Sequence, residues 1–373
     1  MTLKDRIGAF DHLGRILKRY LESLPSQGKA FTRDNALSAD YQFSARTDII
    51  ENSIKEASLI NPWFTRQNII ITLAEIARSL NHKNLDLWLN PWKDEYLSPR
   101  KHMRIGVIMA GNLPLVGFHD FLSVLITGHK FIGKLSSRDD RLLPMIGDLL
   151  TGIQKDFNEL IEFTDEKLSG IDAIIATGSN NTYRYFDYYF GKYPHIFRKN
   201  RNSVAIIEGN ETPDHLNGLG EDIFTYFGLG CRNISKVFLP EKYPINILID
   251  SLEKFSYVTE HNKYMNNYLY HKSVYLLNII PHYDNGFIIL KQDNSYHSPI
   301  GVLFYDYYSS MERLIEKLVS DSGLLQCIAG HEISGLKTIP FGKTQSPELW
   351  DYADDVNTIE FLINLVKKTG HDI

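Results

Sequence analysis

The chain has 373 residues, of which 43% are hydrophobic and 23% are charged. This balance is typical of a folded globular protein and excludes a mainly disordered chain, and the length allows about two domains. A formal net charge of −5 excludes a general electrostatic attraction to nucleic acid or to an anionic membrane. The two cysteines form no Cys-x-x-Cys pair, so we expect neither a disulfide framework nor a cysteine-based zinc site, and a reducing compartment.

The sequence contains no segment typical of export or of membrane insertion. Residues 1–19 are charged throughout and lack the apolar region of a secretory signal. No apolar stretch reaches the length that a membrane span needs. We therefore expect a cytoplasmic protein without stable membrane insertion.

The first hundred residues are predicted to be mainly helical. Apolar residues recur at helical spacing over 3–24, and further helices are predicted over 47–60 and 65–79. Residues 85–99 look strand-like and irregular, which is typical of an extended arm or a hairpin. We expect this part to pack on a larger body without chemistry of its own.

From residue 105 onward, strand-like and helix-like segments alternate. The strands are predicted at 105–110, 130–135 and 173–177, and the helices between them at 118–125 and 141–157. This alternation indicates a parallel α/β nucleotide-binding sheet, whose ligands sit beyond the carboxyl ends of the strands. Neither a Gly-x-Gly-x-x-Gly nor a Walker A motif is present, so no common phosphate loop accompanies the sheet.

Polar and small residues lie at or just after the predicted strand ends, where a phosphate, a ribose or a substrate would bind. They are Asn112, Lys134, Ser136, Ser137, Arg138, Gly178 and Ser179. Ordinary turn chemistry explains each of them singly as well. A further apolar run over 204–207 leads to Glu208 and Gly209. That carboxylate is either a general base or a solvated turn residue.

The strongest single signal is Cys231, which follows Gly228-Leu229-Gly230 and precedes a strand-like segment. Small residues leave the thiol accessible, and nearby N–H groups can polarise a carbonyl under attack. The attacking species would be the thiolate, and Arg232 and Lys236 are the cations placed to favour it. A cysteine beside a strand is also often a core residue, which is our interpretation of Cys327.

The remainder of the chain is predicted to continue as α/β structure. Helices are predicted at 244–255, 311–318 and 358–367, strands at 287–290, 300–305 and 326–329, and no element at 264–277. We expect a first part, 1–205, with the N-terminal helices and the dinucleotide-binding sheet, and a catalytic part, 206–330, that carries Cys231. The segment 331–373 is expected to return to the first part or to an oligomerisation surface.

In this order of segments the chain resembles the aldehyde dehydrogenase superfamily and, within it, the LuxC-type long-chain acyl-CoA reductases. The resemblance covers roughly 104–239 and, more loosely, 298–305. The matching motifs are Ile105-Gly106-Val107-Ile108 with Asn112-Leu113-Pro114, then Lys134, Thr177-Gly178-Ser179, Glu208-Gly209, and Cys231 with Ser235-Lys236-Val237-Phe238. The resemblance implies an α/β fold with a Rossmann-type parallel-sheet cofactor domain and a smaller α/β catalytic domain.

The resemblance also implies a role for each matched residue. Cys231 would be the nucleophile, Glu208 the general base, and Asn112 a donor to the substrate oxyanion. The cofactor would be held at the strand ends by Lys134, Ser136, Ser137, Arg138, Gly178 and Ser179.

Two departures from the family pattern bear on the cofactor. Ser137 stands where many NAD-preferring members place a glutamate for the adenine ribose, and Arg138 lies beside it. Without that carboxylate a 2′-phosphate is not repelled, and an arginine pairs with it, so NADPH is expected rather than NADH. Ser295 stands where the family usually has a glutamate that contacts the nicotinamide ribose.

The resemblance implies reduction of a fatty acyl-CoA, or of an acyl-protein thioester, to the aldehyde through an acyl-enzyme on Cys231. Three alternatives stay open: an NAD(P)-dependent dehydrogenase of free aldehydes, a cysteine acyltransferase or thioesterase that has lost cofactor binding, and a non-catalytic subunit of a fatty-acid reductase complex. The family also implies an acyl-protein synthetase partner and a homo-oligomer. We expect no nucleic-acid partner.

Overall fold

The computed structural model of the protein describes residues 1–25, 41–92, 96–99, 101–178 and 180–368. The helices are α1 (Leu3–Ser23), α2 (Tyr41–Ile60), α3 (Arg66–Ser79), α4 (His82–Leu89), α5 (Phe118–Ile126), α6 (Leu142–Ile153), α7 (Asn180–Phe190), α8 (Pro213–Phe224), α9 (Ile245–Ser251), α10 (Asn262–Leu277), α11 (Met311–Ser320) and α12 (Thr358–Lys368). The strands are β1 (Arg104–Ile108), β2 (Lys130–Lys134), β3 (Ile161–Thr164), β4 (Ala173–Thr177), β5 (His195–Arg198), β6 (Asn202–Ile206), β7 (Ile234–Pro240), β8 (Tyr283–Asp284), β9 (Ile289–Gln292), β10 (Val302–Tyr308), β11 (Leu325–Ala329) and β12 (Thr338–Ile339).

The chain divides into two compact units. Unit 1 comprises Met1–Lys199 and Glu348–Ile373, and unit 2 comprises Asn200–Pro347. The roles expected for the two parts of the chain, cofactor binding and catalysis, stay predictions.

Unit 1 is built on a five-stranded sheet in which each strand runs parallel to its neighbours. Its strand order is β3-β2-β1-β4-β5. The centres of β1 and β4 are buried, which agrees with continuous apolar runs covered on both faces of a parallel sheet. The strand order reverses between β1 and β4, the point at which such sheets bind ligands. The parallel α/β sheet predicted from the alternating segments is confirmed.

A layer of N-terminal helices belongs to unit 1. Helix α1 packs against α3, α4 and α6, and its buried residues Phe10, Leu13, Leu17 and Tyr20 recur at helical spacing. A capping box formed by Thr2 begins the helix. The amphipathic helix predicted here is therefore confirmed. Among the described residues, no helix combines the length and the apolar character that crossing a membrane requires.

Unit 2 is built on a seven-stranded sheet with the order β12-β11-β6-β7-β10-β9-β8. All neighbouring strands are parallel except β8 and β9, which are antiparallel. Apolar side chains of β6 and β7, including Val204 and Phe238, pack in one cluster with Leu314 and Leu318 of α11. This packing fixes β6 and β7, the two strands that flank the Cys231 segment.

The prediction of an extended arm over 85–99 is wrong for its first part, which belongs to α4. Leu85, Trp88 and Leu89 are all buried, and their spacing of three and four residues is that of one helical face. The side chain of Asn81 caps the helix by accepting the Asn84 N–H. Tertiary burial of this face thus overrides the irregular appearance of the segment.

Other differences concern short or mixed elements. The helix predicted at 244–255 is the shorter α9 followed by a 3-10 helix, Glu253–Glu260, and the unassigned stretch 264–277 forms most of α10. Apolar residues lie all around α10, because Tyr264 and Tyr268 are buried while Leu276 and Leu277 are exposed. Strands β3 and β5 escape prediction because each is a four-residue edge strand.

Candidate functional site

Cys231 is an exposed thiol in the segment that joins α8 to β7. Just before it, Tyr226, Phe227 and Gly228 adopt φ values of 54°, 57° and 76°. Left-handed backbone is unfavourable for residues that carry a side chain, but both aromatic rings are buried, and this burial holds the reversal. The chain therefore turns sharply after α8 and presents Cys231 to solvent.

Asn233 ties the Cys231 loop to the end of α8. Its buried amide donates to the carbonyl oxygens of Asp222 at 3.0 Å and Thr225 at 2.8 Å. Its Oδ1 accepts the Gly230 N–H at 2.8 Å. Because one amide supplies both donors and an acceptor, a single side chain fixes the backbone next to Cys231.

Asp222 anchors a second segment beside this loop. Its buried carboxylate accepts the N–H of Gly342 at 2.7 Å and both the N–H and the hydroxyl of Thr344, at 3.0 and 2.7 Å. Burial raises the pKa of Asp222 to about 6, although these hydrogen bonds act in the opposite direction. Arg232, which follows the cysteine, donates from Nε to the Thr344 carbonyl at 2.5 Å. The Thr344 segment is thus bound to both α8 and the Cys231 loop.

Ser203 locates Cys231 relative to the sheet. Its buried hydroxyl donates to the Cys231 carbonyl oxygen at 2.8 Å. Ser203 is the second residue of β6, and it pairs with Ile234 of β7 on one side and Cys327 of β11 on the other. Cys231 therefore lies at the amino edge of the unit 2 sheet. Cys327 is buried, which confirms its predicted place in the core.

Glu208 lies at the opposite end of β6. The strand advances from Ser203 to Ile206, which pairs with Phe238, and Glu208 follows two residues later. The three steps from Ser203 to Ile206 already span about 10 Å at about 3.3 Å per residue, and Glu208 lies beyond that end of the strand. A glutamate side chain cannot span that distance, so the structure does not support the predicted role of Glu208 as a general base for Cys231.

Glu211 holds the turn that carries Glu208. Its side chain is only 1% exposed and accepts the N–H groups of Glu208 at 2.7 Å and Gly209 at 3.0 Å. Gly209 has φ = 96°, a conformation that favours glycine. The Glu208 side chain is exposed. The structure thus favours the solvated turn residue, the second interpretation that the sequence left open.

The ammonium of Lys236 contacts Asp293 and Asp306. Its Nζ donates to the Asp293 carbonyl at 2.6 Å and lies 3.7 Å from Asp306 Oδ2. Burial lowers the pKa of this lysine, while the nearby carboxylate of Asp306 acts in the opposite direction. Its ammonium is also 4.9 Å from the centroid of the Phe238 ring. Lys236 is therefore a buried side chain of β7, and we do not assign it to activation of Cys231.

Ser203, Asn233 and Asp222 are not predicted by the sequence, although they form the support of the Cys231 loop. Asn233 carries a usable signal, because an asparagine two residues from the thiol can bond nearby backbone. Ser203 and Asp222 carry no such local signal, since their partners are distant in the sequence.

The candidate residues of unit 1 lie at the carboxyl edge of its sheet. Asn112 follows β1, Lys134 ends β2 and Gly178 follows β4; Ser179 lies outside the described residues. A Cβ on Gly178 would come within 3.0 Å of Thr182 of α7, so this glycine permits close packing of the helix on the strand end. The turns after β1 and β4 flank the reversal of strand order.

Asp139 joins the turn after β1 to the turn after β2. Its buried carboxylate accepts the N–H groups of Leu115 at 3.0 Å and Leu142 at 3.4 Å, and burial raises the pKa of Asp139 to about 6. Gly111 packs against the second turn, because a Cβ there would lie 2.2 Å from Ser136 Oγ. The segments that carry Asn112 and Ser136 therefore form one rigid edge.

Lys134 lies on this edge and donates from Nζ to the carbonyl oxygens of Asp165 at 2.8 Å and Glu166 at 2.9 Å. Ser137 and Arg138 are exposed beside it. An ammonium, hydroxyls and a guanidinium are suitable donors for phosphate and ribose oxygens. The close approaches at Gly111 and Gly178 add the tight turns that a dinucleotide site needs. The residues present thus fit a nicotinamide dinucleotide.

An apolar cleft of about 470 Å³ lies within unit 1. Its walls include Trp88, Trp92, Trp350 and Tyr352. The Trp88 indole N–H donates to the Tyr352 hydroxyl at 2.8 Å, so these two polar atoms of the wall bond to each other. The rings of Trp88 and Tyr352 also contact His119, the second residue of α5, at centroid distances of 5.5 and 5.6 Å. The cleft therefore presents aromatic faces, near the helix that follows the Asn112 turn.

The sequence matches no family model and no curated protein. Solved structures of aldehyde dehydrogenases do match. Aldehyde dehydrogenase 21 from Physcomitrella patens, in complex with the reaction product succinate, aligns with a TM-score of 0.62 at 11% identity, over 98% of this chain and 84% of that one. The NAD+ complex of an aldehyde dehydrogenase from Bacillus cereus aligns with 0.57 at 14% identity, over 89% and 73%. The enzyme KauB from Pseudomonas aeruginosa gives 0.57 at 13% identity, over 88% and 73%.

These alignments show that the chain has the aldehyde dehydrogenase fold. The fold class predicted from the sequence is confirmed at this level, with a parallel sheet in unit 1 and a mostly parallel sheet in unit 2. The identities of 11 to 14% carry the fold alone, so the reaction must be argued from the chain's own residues.

Proposed function

We propose that the protein is an NADPH-dependent reductase that converts a fatty acyl-CoA, or an acyl-protein thioester, to the aldehyde through an acyl-enzyme on Cys231. The aldehyde dehydrogenase fold and the exposed Cys231 thiol support a reaction of this class. The observation that carries the choice of reaction is the separation of Glu208 from Cys231 along β6.

This separation supports reduction of the acyl-enzyme over its hydrolysis. Oxidation of a free aldehyde and thioester cleavage both end when water attacks the acyl-enzyme, and a general base must activate that water. Glu208, the carboxylate expected to do so, is at the other edge of the sheet. Reduction of the acyl-enzyme uses no water, so it does not need this base. The placement therefore favours thioester reduction over the two hydrolytic alternatives.

Acylation requires an accessible thiolate and donors for the oxyanion. The Cys231 sulfur attacks the thioester carbonyl carbon, a new carbon–sulfur bond forms, and the bond to CoA breaks as the CoA thiolate leaves. The Cys231 N–H is the oxyanion donor that we propose within unit 2, contributing on the order of 3 kcal/mol, and the role of Asn112 stays a prediction. Asn233 and Ser203 keep the backbone of the nucleophile fixed during this step.

The proposed cofactor residues are those of the carboxyl edge of unit 1. Lys134, Ser136, Ser137, Arg138, Gly178 and Ser179 would hold the dinucleotide. A nicotinamide cofactor supplies a hydride for the acyl carbon when it is bound. The exposed guanidinium of Arg138 is a suitable partner for a 2′-phosphate, which supports NADPH.

The apolar cleft of unit 1 supports a substrate with a long hydrocarbon chain. Its volume of about 470 Å³ is in the range of ligand sites. Among the described residues, its lining is aromatic and aliphatic apart from the amide of Asn357. We therefore include the fatty acyl chain in the proposal.

Location and assembly are also part of the proposal. We propose a cytoplasmic homo-oligomer that receives acyl groups from an acyl-protein synthetase. Leu277 and Ile279, at the end of α10, are 84% and 89% exposed. Leu276 beside them is 59% exposed, and neighbouring exposed apolar side chains of this kind support a contact with a second copy of the chain.

The proposal is tested by mixing the purified protein with a long-chain acyl-CoA and following NADPH fluorescence. Parallel reactions contain NADH, or the Cys231→Ala variant with NADPH. We expect NADPH oxidation that depends on both the acyl-CoA and Cys231, and that is slower with NADH. Release of CoA without NADPH oxidation would instead identify an acyltransferase or a thioesterase.

A further inference from the structure

The two cysteines of the chain lie on either side of one buried hydroxyl. Ser203 Oγ donates to the Cys231 carbonyl at 2.8 Å and lies 3.0 Å from Cys327 Sγ. The Cys231 carbonyl oxygen is therefore no more than about 6 Å from the Cys327 sulfur, the length of these two contacts end to end. Residues remote in the sequence thus share one hydrogen-bond relay at the amino edge of the sheet.

The hydrogens of this relay can be assigned. A serine hydroxyl has one hydrogen to donate, and Ser203 directs it to the Cys231 carbonyl, which can only accept. The contact between Ser203 and Cys327 is then a thiol hydrogen donated to Ser203 Oγ. Cys327 therefore carries a protonated thiol that donates to the same hydroxyl that is bonded to the Cys231 carbonyl.

The two cysteines differ in exposure and in the element that carries them. Cys231 is exposed, whereas Cys327 is 8% exposed and fixed within β11. The Cys231 loop contains Gly228 and Gly230, whose backbone is conformationally permissive. A disulfide requires Cα atoms within about 7 Å and a sulfur–sulfur bond of about 2.05 Å. Formation of the disulfide therefore requires the Cys231 loop to release its hydrogen bonds to Ser203 and Asn233, while Cys327 stays in its strand.

We propose that Cys327 is a resolving cysteine for Cys231, and that hydroperoxides convert the pair to a reversible intramolecular disulfide. In the first step the Cys231 thiolate attacks a peroxide oxygen, a sulfur–oxygen bond forms, and the oxygen–oxygen bond breaks with loss of hydroxide. The sulfur is oxidised to a sulfenic acid and the peroxide is reduced. In the second step the Cys327 sulfur attacks the Cys231 sulfur, the sulfur–oxygen bond breaks, and the Cys327 proton leaves with hydroxide as water.

The pair would make oxidation of Cys231 reversible. A sulfenic acid that finds no thiol is oxidised further to a sulfinic acid, which ordinary thiols do not reduce. A disulfide at this position instead protects the Cys231 sulfur, because a dithiol reduces it back to the thiol. Because the disulfide concerns the two sulfurs alone, the inference does not rest on the proposed reductase activity.

The test oxidises the whole protein with hydrogen peroxide in the absence of substrate, followed by alkylation and non-reducing peptide mass spectrometry. We expect a linked peptide pair containing Cys231 and Cys327, with the loss of two hydrogens, that disappears after treatment with dithiothreitol. The matched control is Cys327→Ser, whose hydroxyl still donates to Ser203. In that variant we expect sulfenic acid on Cys231, trapped by dimedone, and sulfinic acid forming about tenfold faster than in the wild type.

Two results would overturn the inference. One is peroxide-treated wild type in which Cys231 becomes sulfinic acid and no linked peptide forms. The other is a Cys231 disulfide found only between two chains. Both results are measured on the wild-type protein, so they do not depend on whether Cys327→Ser folds normally. Thermal unfolding of that variant shows whether its fold is intact.

Discussion

The two residues predicted to be catalytic in unit 2 lie near opposite ends of β6, and the two ends differ in the side chain that they expose. At the amino end, the exposed Cys231 thiol stands on a loop fixed by buried Ser203 and Asn233. At the carboxyl end, Glu208 is exposed on a turn fixed by buried Glu211. Both ends are rigid, but only the first presents a nucleophile. The comparison shows that closeness in the sequence and placement near a strand do not make two residues one site.

The same comparison separates the two units. In unit 1 the candidate residues follow their strands, so they lie at the carboxyl edge, where parallel sheets bind ligands. In unit 2 the thiol precedes its strand and lies at the amino edge. The carboxyl-edge rule therefore locates the predicted cofactor residues and Glu208, but it does not locate the Cys231 thiol.

The largest expected effect is the loss of the Asn233 side chain at the amino end. Asn233→Ala leaves the Asp222 and Thr225 carbonyls and the Gly230 N–H without this partner. We expect a decrease of about 3 kcal/mol in the free energy of unfolding, measured by urea denaturation. The matched control is Asn210→Ala in the exposed turn at the carboxyl end, with an expected change within about 0.5 kcal/mol. Equal losses of unfolding free energy in the two variants would contradict the supporting role of Asn233 at the amino end.

The next effect concerns the buried carboxylate beside the Cys231 loop. The pKa of Asp222 is raised to about 6 in the folded protein, above its unfolded value. Its contribution to stability is therefore fully present below about pH 4 and is lost as the pH rises through about 6. The stability advantage of the wild type over Asp222→Asn should shrink by up to about 3 kcal/mol between pH 4 and pH 7.

Denaturation curves at four pH values measure the difference in unfolding free energy between the wild type and Asp222→Asn. A difference that grows with pH would contradict the raised pKa of Asp222. The corresponding variant in unit 1 is Asp139→Asn. The pKa of Asp139 is also raised to about 6 by burial, so the same trend is expected at the carboxyl edge of the first sheet.

A smaller effect tests the carboxyl edge of unit 1. Arg138 is exposed beside Ser137, where it would pair with a 2′-phosphate. Arg138→Ala should weaken NADPH binding about tenfold, equivalent to about 1.4 kcal/mol, and leave NADH binding unchanged. Fluorescence titration with both dinucleotides measures the ratio. An equal loss of affinity for NADPH and NADH would mean that Arg138 does not bind the 2′-phosphate.

The smallest effect is expected at the carboxyl end of β6. Glu211→Gln keeps the shape of the side chain but replaces one accepting oxygen of the clamp on Glu208 and Gly209. We expect a loss of about 1 kcal/mol in stability with no change in the rate at which iodoacetamide alkylates Cys231. A changed alkylation rate would show that the two ends of β6 are coupled.

Much of the fold follows from local patterns. Continuous apolar runs predict β1, β2 and β4, because a parallel sheet buries both faces of its central strands. Helix α4 is not predicted, since its inward face is short and lies next to irregular sequence. Helix α10 is not predicted either, because it has no single apolar face.

The site is predictable only in part. The accessible thiol of Cys231 follows from the glycines before it, whereas its supports, Ser203 and Asp222, are set by contacts between distant segments. The separation of Glu208 from Cys231 has a simple physical reason. A helix that connects two parallel strands returns the chain to the amino edge, so a residue after β6 and a residue before β7 lie at opposite edges. The order strand, helix, cysteine, strand already contains this information.

The central claim is that Cys231 takes up the acyl group without help from Glu208. The most direct measurement is the rate of acyl-adduct formation, followed by intact-protein mass spectrometry after mixing with a long-chain acyl-CoA. We expect the adduct in the wild type and in Glu208→Gln at rates within about twofold, and a loss on the order of 10⁴-fold or more in Cys231→Ala. An adduct that persists in Cys231→Ala, or one that disappears in Glu208→Gln, would contradict the account.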